Sequence, residues 1–375
     1  MNILMTLANP FTHDPRVYNE AKSLVKAGHD MTILARDKKK NNPYNEVKDE
    51  INIVRSYNTK FMDFLPYDIF RLHFWWNEGY KNALKLYKKD PFDIVHCHDL
   101  DTLPIGIKLK KKKGIPLVYD AHEIWGYMVS RDLPKIWADY YLWKEKRIVK
   151  YVDKIITVNE PLKRYFSNIT NKPVTIIMNC KPLQSKTYES PNNDKFTLLY
   201  IGTLNKSRFL LELVDVVKEL LDVRCIIGGF GSDQNYINIL TDKCSKAQNV
   251  DFIGIVPMKK VLPMTKKADT IFHMVDPRDP NNCIGTGNKQ FEAMVCGRPL
   301  ICAKGTNDGS IVEKEGHGHT IEYNKKALKD AIIKLRDNEK MREKFGKNAL
   351  KAALREYNWE KQEEKLLKVY KHLEV

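Results

Sequence analysis

The sequence predicts an α/β protein of two doubly wound domains, and three observations support this fold class. Short β-branched runs alternate with longer amphipathic stretches in both halves, which is typical of βαβ units and parallel sheets. The length of 375 residues suits two ordinary domains. A polar, proline-bearing stretch without periodicity, residues 181–195, lies between the halves and predicts a linker. We therefore expect Rossmann-like domains at 1–185 and 186–355, then a helix at 356–375.

The first half contains seven runs that predict strands: Asn2–Leu7, Met31–Ala35, Ile51–Arg55, Ile94–His96, Leu117–Asp120, Lys154–Val158 and Val174–Ile177. Helices are expected to begin near Asp14, Asp68, Leu103 and Leu133.

A second cycle follows the linker. Its predicted strands are Thr197–Ile201, Val223–Ile227, Val250–Ile253, Thr270–His273 and Pro299–Ala303. Its predicted helices are Leu210–Leu221, Asp233–Ala247, Lys259–Ala268 and Lys289–Cys296. After Lys325 the pattern is almost continuously helical, and the last helix carries Trp359, Leu366 and Tyr370 on an apolar face.

Composition limits the class of protein. With 43% hydrophobic and 29% charged residues, the chain is a soluble globular protein. It begins without a basic leader, and no apolar run reaches the ~20 residues of a membrane span, so we expect a cytoplasmic protein. The seven cysteines show no C-x-x-C pair, which favours reduced, packed thiols over disulfides or a zinc knuckle.

The net charge of +16 admits several partners: nucleic acid, an anionic membrane face or a phosphorylated substrate. A lysine-rich solvated surface is an equally weighted alternative, because many lysines stand at helical spacing from Glu or Asp.

The first strand runs into a predicted helix start. Asp14 followed by Pro15 fits a capping side chain and a first helical residue that lacks an N–H. His13 and Arg16 would then stand at a helix N-terminus facing the crevice, a place suited to anions. The G-x-G-x-x-G of dinucleotide dehydrogenases is absent here, which argues against hydride transfer.

Two further strands end in histidine-rich loops, DIVHCHDLDTLP and LVYDAHEIW. Because ligands of open parallel sheets sit at the carboxyl ends of strands, their polar side chains are candidates for binding sugar hydroxyls. The alternatives are a metal site, or a structural network in which these side chains are hydrogen-bonded within the protein. The side chains are His96, His98, Asp99, Asp120, His122 and Glu123.

Two stretches of the first domain have both a structural and a functional interpretation. The aromatic-rich segment from Phe61 to Tyr87 fits a core helix, or else a surface that enters a membrane or holds a lipid-linked acceptor. The lysine run from Lys108 to Gly114 fits a helix end closed by glycine, or else the same membrane surface.

In the second domain, glycines and cations follow successive strands. Gly202 would let backbone approach a ligand, and Lys206 and Arg208 would place positive charge beside it, as a diphosphate requires. The glycines of CIIGGFGSD, among them Gly229 and Gly231, suggest a flexible turn for a base or ribose.

The segment GTGNKQFEAMVCGRP, Gly285 to Pro299, combines three features of a nucleotide site. A glycine-rich loop leads into a helix start at Asn288–Lys289, where backbone N–H groups, including those at Gly287 and Asn288, are expected to bind phosphate. Glu292, one turn on, could accept two hydrogen bonds from ribose hydroxyls.

These motifs resemble those of the retaining family-4 glycosyltransferases of the GT-B fold over nearly the whole chain. The matching stretches are DPRVYNEAKSLVKAGHDMTIL, DIVHCHDLDTLP, VYDAHE, LLYIGTLNKSR, NVDFIGIV, FEAMVCGRPLI and YNWEKQEEKLLKVY. The resemblance implies two domains facing across a cleft, with a C-terminal helix that returns to the first.

The resemblance also implies roles for single residues. Glu292 would bind the donor ribose, Gly202 and Arg208 would line the diphosphate, and His122 would face the donor sugar. There are two departures: Ile284 stands where the first glutamate of the E-x7-E signature belongs, and Thr203 stands where many relatives have arginine.

We therefore expect transfer of a hexosyl group from a nucleoside diphosphate sugar to a hydroxyl of a glycan or lipid-linked acceptor, with retention and without metal or cofactor. UDP is favoured over GDP on family frequency, no nucleic acid is expected, and peripheral contact with an anionic membrane is one expected partner. The expected site has catalytic His122, Arg208 and Lys206; donor-binding Gly202, Thr203, Gly229, Gly231, Gly287, Asn288, Lys289 and Glu292; and acceptor-side His13, Arg16, His98, Asp99, Asp120 and Glu123.

Two other hypotheses remain open. A nucleotide-sugar epimerase or phosphorylase would share this architecture. A non-catalytic basic protein that binds membrane or nucleic acid would explain the charge, although no recognisable RNA-binding motif supports it.

Overall fold

The computed structural model describes residues 1–131 and 133–373, which divide into two compact units. The first unit comprises Met1–Met178 and Glu363–Val375, and the second comprises Asn179–Gln362. The predicted fold class, two α/β domains with parallel sheets, is confirmed.

The division between the units lies before the predicted boundary at residue 185. The side chains of Asn179 and Lys181 donate hydrogen bonds to Asn288, at 2.8 and 3.3 Å, and Arg298 donates to the carbonyl of Glu189 at 2.8 Å. The stretch 181–195, predicted as a linker, therefore packs as part of the second unit.

The first unit is built on an eight-stranded sheet of order β3-β4-β2-β1-β5-β6-β7-β8, parallel except for the antiparallel pair β3–β4. Its strands are β1 Asn2–Leu7, β2 Asp30–Asp37, β3 Asn45–Lys48, β4 Ile51–Tyr57, β5 Ile94–His98, β6 Leu117–Ala121, β7 Lys154–Thr157 and β8 Val174–Ile176. Its helices are α1 Pro15–Lys26, α2 Lys60–Asp63, α3 Asp68–Lys89, α4 Leu103–Lys113, α5 Trp125–Val129, α6 Lys135–Ile148 and α7 Glu160–Ile169.

The second unit is built on a six-stranded parallel sheet of order β11-β10-β9-β12-β13-β14. Its strands are β9 Phe196–Thr203, β10 Val223–Phe230, β11 Val250–Phe252, β12 Thr270–His273, β13 Leu300–Ala303 and β14 Gly318–Ile321. Its helices are α8 Leu210–Val217, α9 Gln234–Ser245, α10 Met258–Lys267, α11 Pro280–Ile284, α12 Asn288–Val295, α13 Asn307–Glu315, α14 Lys325–Asp337, α15 Glu339–Arg355 and α16 Trp359–Lys371.

Both sheets reverse their strand order at one internal position. In the first unit the chain steps outward from β1 through β2 and β4, then returns to place β5 on the other side of β1. The second unit repeats this arrangement with β9 flanked by β10 and β12. Loops diverge at the carboxyl ends of strands on either side of such a switch point and leave a crevice there. The ends of β1/β5 and β9/β12 are therefore where ligands are expected.

Several elements were not predicted. The strand β3, NEVK, is short and mostly exposed, so it carries no alternating apolar pattern. The strand β14, GHTI, begins with a glycine, and helices α7 and α13 were also missed.

The predicted turn at Gly228 and Gly229 is wrong, because both residues belong to strand β10. Gly229 pairs with Gly202 of β9 and has φ +142°, and a Cβ there would lie 1.7 Å from the carbonyl oxygen of Gly202. Glycine is therefore required for the close approach of the two strand ends.

The predicted aromatic helix in the first unit has both a buried and an exposed face. Trp75 and Trp76 of α3 belong to a core with Tyr119 and Phe166, whereas Phe74 is 45% exposed. All seven cysteines are free thiols, and only Cys283 is not fully buried. The expectation of reduced, packed cysteines agrees with this arrangement.

The last helix joins the two units. The backbone N–H of Trp359 at its start donates to the carbonyl of Lys181 in the second unit, at 3.0 Å. Its later residues belong to the first unit, where the Tyr370 hydroxyl lies 2.5 Å from Nδ1 of His96. The predicted return of this helix to the first domain is confirmed.

Substitution of Gly229 by alanine should destabilise the second unit strongly. The new methyl group would meet the Gly202 carbonyl and the backbone would keep an unfavourable φ, a combination expected to cost about 3 kcal/mol or more. Gly28→Ala is the matched control, because Gly28 also has positive φ (+85°) but open space around it. Denaturant unfolding checks the prediction, and equal losses for the two variants would contradict the close-approach explanation.

Candidate functional site

A buried ion pair lies at the carboxyl edge of the first sheet. Arg16, in the first turn of α1, donates from Nη2 and Nε to the two carboxylate oxygens of Asp120, at 2.7 and 3.1 Å. Its Nη1 donates to the carbonyl of Ile177 at 2.8 Å, and Arg16 is only 4% exposed. The expectation that Arg16 faces a crevice is therefore wrong: its donors are used inside the protein. His13, just before the same helix, is exposed, and its predicted role on the acceptor side stays a prediction.

His122 is held between two carboxylates. Its Nε2 lies 2.9 Å from Asp120 Oδ2, its Nδ1 lies 3.2 Å from Asp99 Oδ2, and its backbone N–H donates to Asp99 Oδ1 at 2.9 Å. Asp99 has φ +57°, and its backbone N–H donates a hydrogen bond to the carbonyl of Asp120, which fixes the loop. Both ring nitrogens are thus occupied by acceptors.

This geometry determines the charges. Burial opposes ionisation of both groups, but Arg16 and His122 lower the pKa of Asp120 well below its ordinary value. In turn, although burial alone would lower it, the carboxylates of Asp99 and Asp120 raise the pKa of His122 well above its usual range. His122 is therefore an imidazolium at neutral pH.

Glu20 joins this network, although no motif pointed to it. It is completely buried on α1, and its Oε1 lies 3.1 Å from Arg16 Nη2, one helical turn away. Burial raises the pKa of Glu20 to about 8, against the attraction of Arg16. The i, i+4 spacing from Arg16 was the signal in the sequence that could have revealed it.

Two histidines at the end of β5 complete the cluster. His98 is 1% exposed, and its Nδ1 lies 3.3 Å from Asp120 Oδ2. His96 is fully buried, with Nε2 3.9 Å from Glu20 and 3.8 Å from Asp120. Burial lowers the pKa of His96 to about 4, so it is neutral. Thus the predicted His98, Asp99, Asp120 and His122 do come together.

The side chains of Glu20, His96, His98 and Asp120 offer ligand atoms within 4.8 Å of one another, a donor set of the kind that binds transition metals. However, Asp120 Oδ2 already accepts hydrogen bonds from Arg16 Nε and His122 Nε2. Two cationic side chains thus occupy the carboxylate that a metal ion would need, and they balance its charge.

A cavity of about 270 Å³ lies at the same edge of the sheet. Its lining combines charged side chains with aliphatic and aromatic ones. Its lining is Ala8, Arg36, Lys38, Asp68, Ile69, Leu72, Asp101, Trp125, Met128, Val129 and Leu133. Burial, and then the neighbouring Asp99, raise the pKa of Asp101 well above its ordinary value. The predicted Glu123 lies half-buried in the nearby loop between β6 and α5.

In the second unit, Lys289 extends beneath the end of β9. It is 9% exposed, its Nζ lies 4.2 Å from the centre of the Tyr200 ring, and a Cβ on Gly202 would come within 2.3 Å of that Nζ. Gly202 therefore makes room for the lysine. Burial lowers the pKa of Lys289 to about 8, and Arg208 contributes to this lowering.

Arg208 is half-buried at the end of a short 3-10 turn, Lys206–Arg208, which the Asn205 side chain caps through Ser207 N–H. Within residues 1–131 and 133–373, no carboxylate forms an ion pair with Arg208 or Lys289. Neither cation at the switch point of the second sheet thus has an ion-pair partner among these residues, although the charges of Glu292 and Asp308 act on Lys289. Lys206 and Thr203 are exposed nearby.

The start of α12 at Asn288 is as predicted, but one expected phosphate donor is already used. The backbone N–H of Gly287 donates to both carboxylate oxygens of Asp308, at 3.2 and 3.1 Å. Asp308 is held in turn by Nε2 of the buried His273 at 2.9 Å. The expectation that Gly287 N–H binds phosphate is therefore wrong, since Asp308, from a distant helix, occupies it.

Glu292 lies one turn into α12, half-buried. Its carboxylate makes no hydrogen bond or ion pair with the rest of the described chain, while its charge acts on both Lys181 and Lys289. Gly231 packs so closely against the Leu204 carbonyl that a side chain would not fit, so the fold itself requires glycine at this position. Ile284 ends the short helix α11 that precedes the glycine-rich loop.

The fold and these two sites define a GT-B glycosyltransferase, and comparison with known proteins agrees. Residues 16–182 match the model of Glycosyltransferase Family 4, and residues 184–352 match that of Glycosyl transferases group 1. The chain belongs to the glycosyltransferases that combine these two domains.

The chain is similar to a glycosyltransferase of Methanocaldococcus jannaschii, with 23% identity over 94% of this chain and 92% of that protein. It is also similar to spore coat protein SA of Bacillus subtilis, with 24% identity over 76% of this chain and 79% of the relative.

Solved structures share the fold. Sucrose-phosphate synthase from Thermosynechococcus elongatus superposes with a TM-score of 0.81 at 16% identity, covering 100% of this chain and 99% of that one. Anabaena HepE, in complex with UDP and glucose, superposes with a TM-score of 0.74 at 14% identity, covering 99% and 100%. No helix of the described residues is long and apolar enough to cross a membrane.

Replacing Glu20 with glutamine should flatten the pH dependence of stability. Because the folded pKa of Glu20, about 8, exceeds the unfolded value, the folded state binds the extra proton, and its stability falls as pH rises from about 4.5 to 8. For this group the loss is about 1.4 kcal/mol per pH unit in that window. Glutamine mimics the protonated acid, so the variant should match the parent near pH 5 and exceed it near pH 8. Urea unfolding at both pH values checks this, and parallel pH profiles would contradict it.

Proposed function

We propose that the protein transfers a hexosyl group from a nucleoside diphosphate sugar to a hydroxyl acceptor, with retention at the anomeric carbon. The observation that carries this proposal is the pair of cations, Lys289 and Arg208, left without carboxylate partners beside Gly202 at the switch point of the second sheet. A buried charge without a partner is costly unless a ligand supplies one, and a diphosphate does so.

The residues around these cations support a position for the donor. The diphosphate lies over Gly202, between Lys289 and Arg208, and the unbonded carboxylate of Glu292 accepts hydrogen bonds from the ribose hydroxyls. UDP is the favoured nucleotide, supported by the UDP and UDP-sugar complexes of structural neighbours such as Anabaena HepE. Retention is supported by the resemblance to retaining family-4 enzymes.

Charge stabilisation of the leaving group drives the chemistry. As the bond from the sugar to the β-phosphate breaks, negative charge grows on the nucleoside diphosphate, and the fixed cations at Arg208 and Lys289 lower that barrier. No metal ion is required for this step, so turnover should persist in EDTA. His122 has both nitrogens occupied and is protonated, so it acts as a fixed positive charge and cannot serve as a general base.

The acceptor occupies the cavity of the first unit. Asp101 and Asp68 in its lining offer acceptors for hydroxyl groups, and Trp125 offers a face on which a sugar ring or an apolar group packs. A glycan or lipid-linked acceptor fits this mixture of surfaces.

Nucleotide binding tests the donor site. UDP, GDP, ADP and their sugars should be screened by thermal shift, since a ligand that binds only the folded state raises its stability. We expect UDP or another diphosphate to raise the melting temperature, and Glu292→Ala to weaken that binding by about 2 kcal/mol, roughly thirtyfold in Kd. Glu322→Ala, which removes an exposed carboxylate from the same unit, is the control. A flat panel for the parent protein would rule out the proposed donor site.

Turnover tests the role of the cations. Arg208→Gln and Lys289→Met should each lower kcat about a hundredfold at saturating donor, the size of effect seen when one donor to a developing oxyanion is removed. Methionine keeps the apolar stem of Lys289 on Tyr200, so the fold should survive. Lys260→Gln, an exposed lysine of α10, is the control. A normal kcat with a raised KM would restrict these cations to ground-state binding.

A further inference from the structure

The first unit exposes a set of large apolar side chains on helices α2, α3 and α6 and in the segment between α2 and α3. We call this set the aromatic patch: Phe61 (57% exposed), Phe64 (86%), Tyr67 (58%), Phe74 (45%), Ile136 (73%) and Trp143 (53%). Burying such side chains is worth roughly 1.5–3 kcal/mol each, so a chain that leaves six exposed on neighbouring helices forgoes that stabilisation.

Aromatic contacts link the segments that carry the patch. Phe61 packs edge-on against Phe74, with ring centres 5.0 Å apart, which connects α2 to α3. Phe70 of α3, itself outside the patch, contacts both Tyr67, at 5.9 Å, and Trp137 at the start of α6, at 5.4 Å. The three helices that carry patch residues are therefore packed side by side.

Basic side chains border this surface. Arg147 lies 4.9 Å from the ring centre of Trp143, and Lys144 lies 3.5 Å from that of Trp76. Both cations thus stand on aromatic faces beside the patch.

Along α3, the face that carries Phe70 and Phe74 continues through Asn77 to Lys81, at spacings of four, three and four residues. There it meets a lysine-lined surface, which we call the lysine face: an open cavity of about 560 Å³ formed by Asn77, Tyr80, Lys81, Lys108, Lys111 and Lys112.

The lysine face carries uncompensated charge. Lys81 is paired with Glu78, but Lys108 donates to Asn77 and lies near Tyr80, and Lys111 stands over Tyr151 at 4.1 Å. In the part of the chain that the structure describes, no carboxylate forms an ion pair with Lys108, Lys111 or Lys112. The left-handed Gly114 explains how α4 ends, but it does not explain why these lysines point to a common surface.

We propose that the aromatic patch and the lysine face together dock the first unit on an anionic lipid bilayer. Tyrosine, tryptophan and phenylalanine side chains enter the boundary between headgroups and acyl chains, and lysines bind lipid phosphates at the same level. An acidic protein partner would satisfy the lysines alone, whereas a bilayer satisfies both surfaces at once.

The acceptor cavity adds a second argument for a bilayer. Its apolar lining includes Ile69 and Leu72 of α3 and Leu133, just before α6, so segments that carry or adjoin the patch also line the cavity. Docking would bring that cavity to the membrane surface. This link to a membrane-borne acceptor rests on the proposed function; the docking itself does not.

Sedimentation with vesicles tests the proposal on the full chain without any substrate. Binding should be strong to vesicles of phosphatidylcholine with phosphatidylglycerol, weak to phosphatidylcholine alone, and reduced by salt. Phe64→Ser combined with Trp143→Ser should weaken binding about tenfold, and Lys111→Gln combined with Lys112→Gln should weaken it roughly tenfold or more.

Matched controls lie in the second unit. Ile255→Ser removes a side chain that is 77% exposed, and Lys259→Gln with Lys260→Gln removes two neighbouring exposed lysines. Both controls should bind vesicles as the parent does. The melting temperature of every variant without ligand reports an intact fold. The UDP thermal shift does not involve the patch, so it separates failure of docking from failure of the donor site.

Three results would overturn the proposal: no vesicle binding by the parent chain, equal loss in patch variants and controls, or equal binding to neutral and anionic vesicles. A chain that binds no vesicles but sediments as a dimer, and reverts to a monomer with Phe64→Ser and Trp143→Ser, would instead assign the patch to self-association.

Discussion

The ion pair between Arg16 and Asp120 is the interaction on which the site of the first unit depends. It connects the start of α1, the end of β6 and the carbonyl of Ile177, three segments far apart in the chain. A buried pair of this kind adds little net stability compared with apolar packing, but loss of one partner costs about 3–5 kcal/mol because a charge is left buried and alone. Its main effect is to keep Asp120 ionised in one position. Only an ionised Asp120 can hold His122 as a protonated ring with fixed orientation.

The second unit uses the same topology with the opposite electrostatic arrangement. In the first unit each buried charge at the switch point has a partner within the protein, and Glu20 avoids the need for one by remaining protonated. In the second unit Lys289 and Arg208 have no ion-pair partner among the described residues, and the lack of a side chain at Gly202 leaves space for Lys289. The charges at one edge are therefore paired within the protein, while the other edge keeps two cations without an ion pair. This difference, which strand order alone does not determine, separates the edge proposed to bind the acceptor from the edge proposed to bind the donor.

The sequence predicted what depends on local pattern. Strand and helix periodicity located the ends of β5 and β9 to within two residues and the start of α12 at Asn288, and these are the positions where both sites form. It failed where a residue's partner is distant in the chain. In the sequence, Arg16 looks like an exposed residue at a helix start. In the structure it is paired with Asp120 of β6.

The other errors have the same cause. In the sequence, the backbone N–H of Gly287 looks available to bind phosphate. In the structure it donates to Asp308, which lies on another helix. Gly229 reads as a turn glycine because periodicity cannot show that a neighbouring strand end, at Gly202, approaches too closely for any side chain. Lys289 stands in the predicted donor loop, but its passage beneath that glycine is visible only in three dimensions.

The surface of the first unit can be interpreted with the same reasoning. Trp75 and Phe74 are neighbours on α3, yet one is fully buried and the other is nearly half exposed, so a single helix supplies both the core and the aromatic patch. The buried face accounts for folding. The exposed face adds no core packing. A helix dipole does not explain why this face continues to the lysines of α4, because the dipole acts only over the last turn of its own helix and does not order aromatic rings on a second helix. A surface that is at once apolar and positively charged is complementary to the boundary of an anionic bilayer, where both properties are satisfied within a few ångströms of depth.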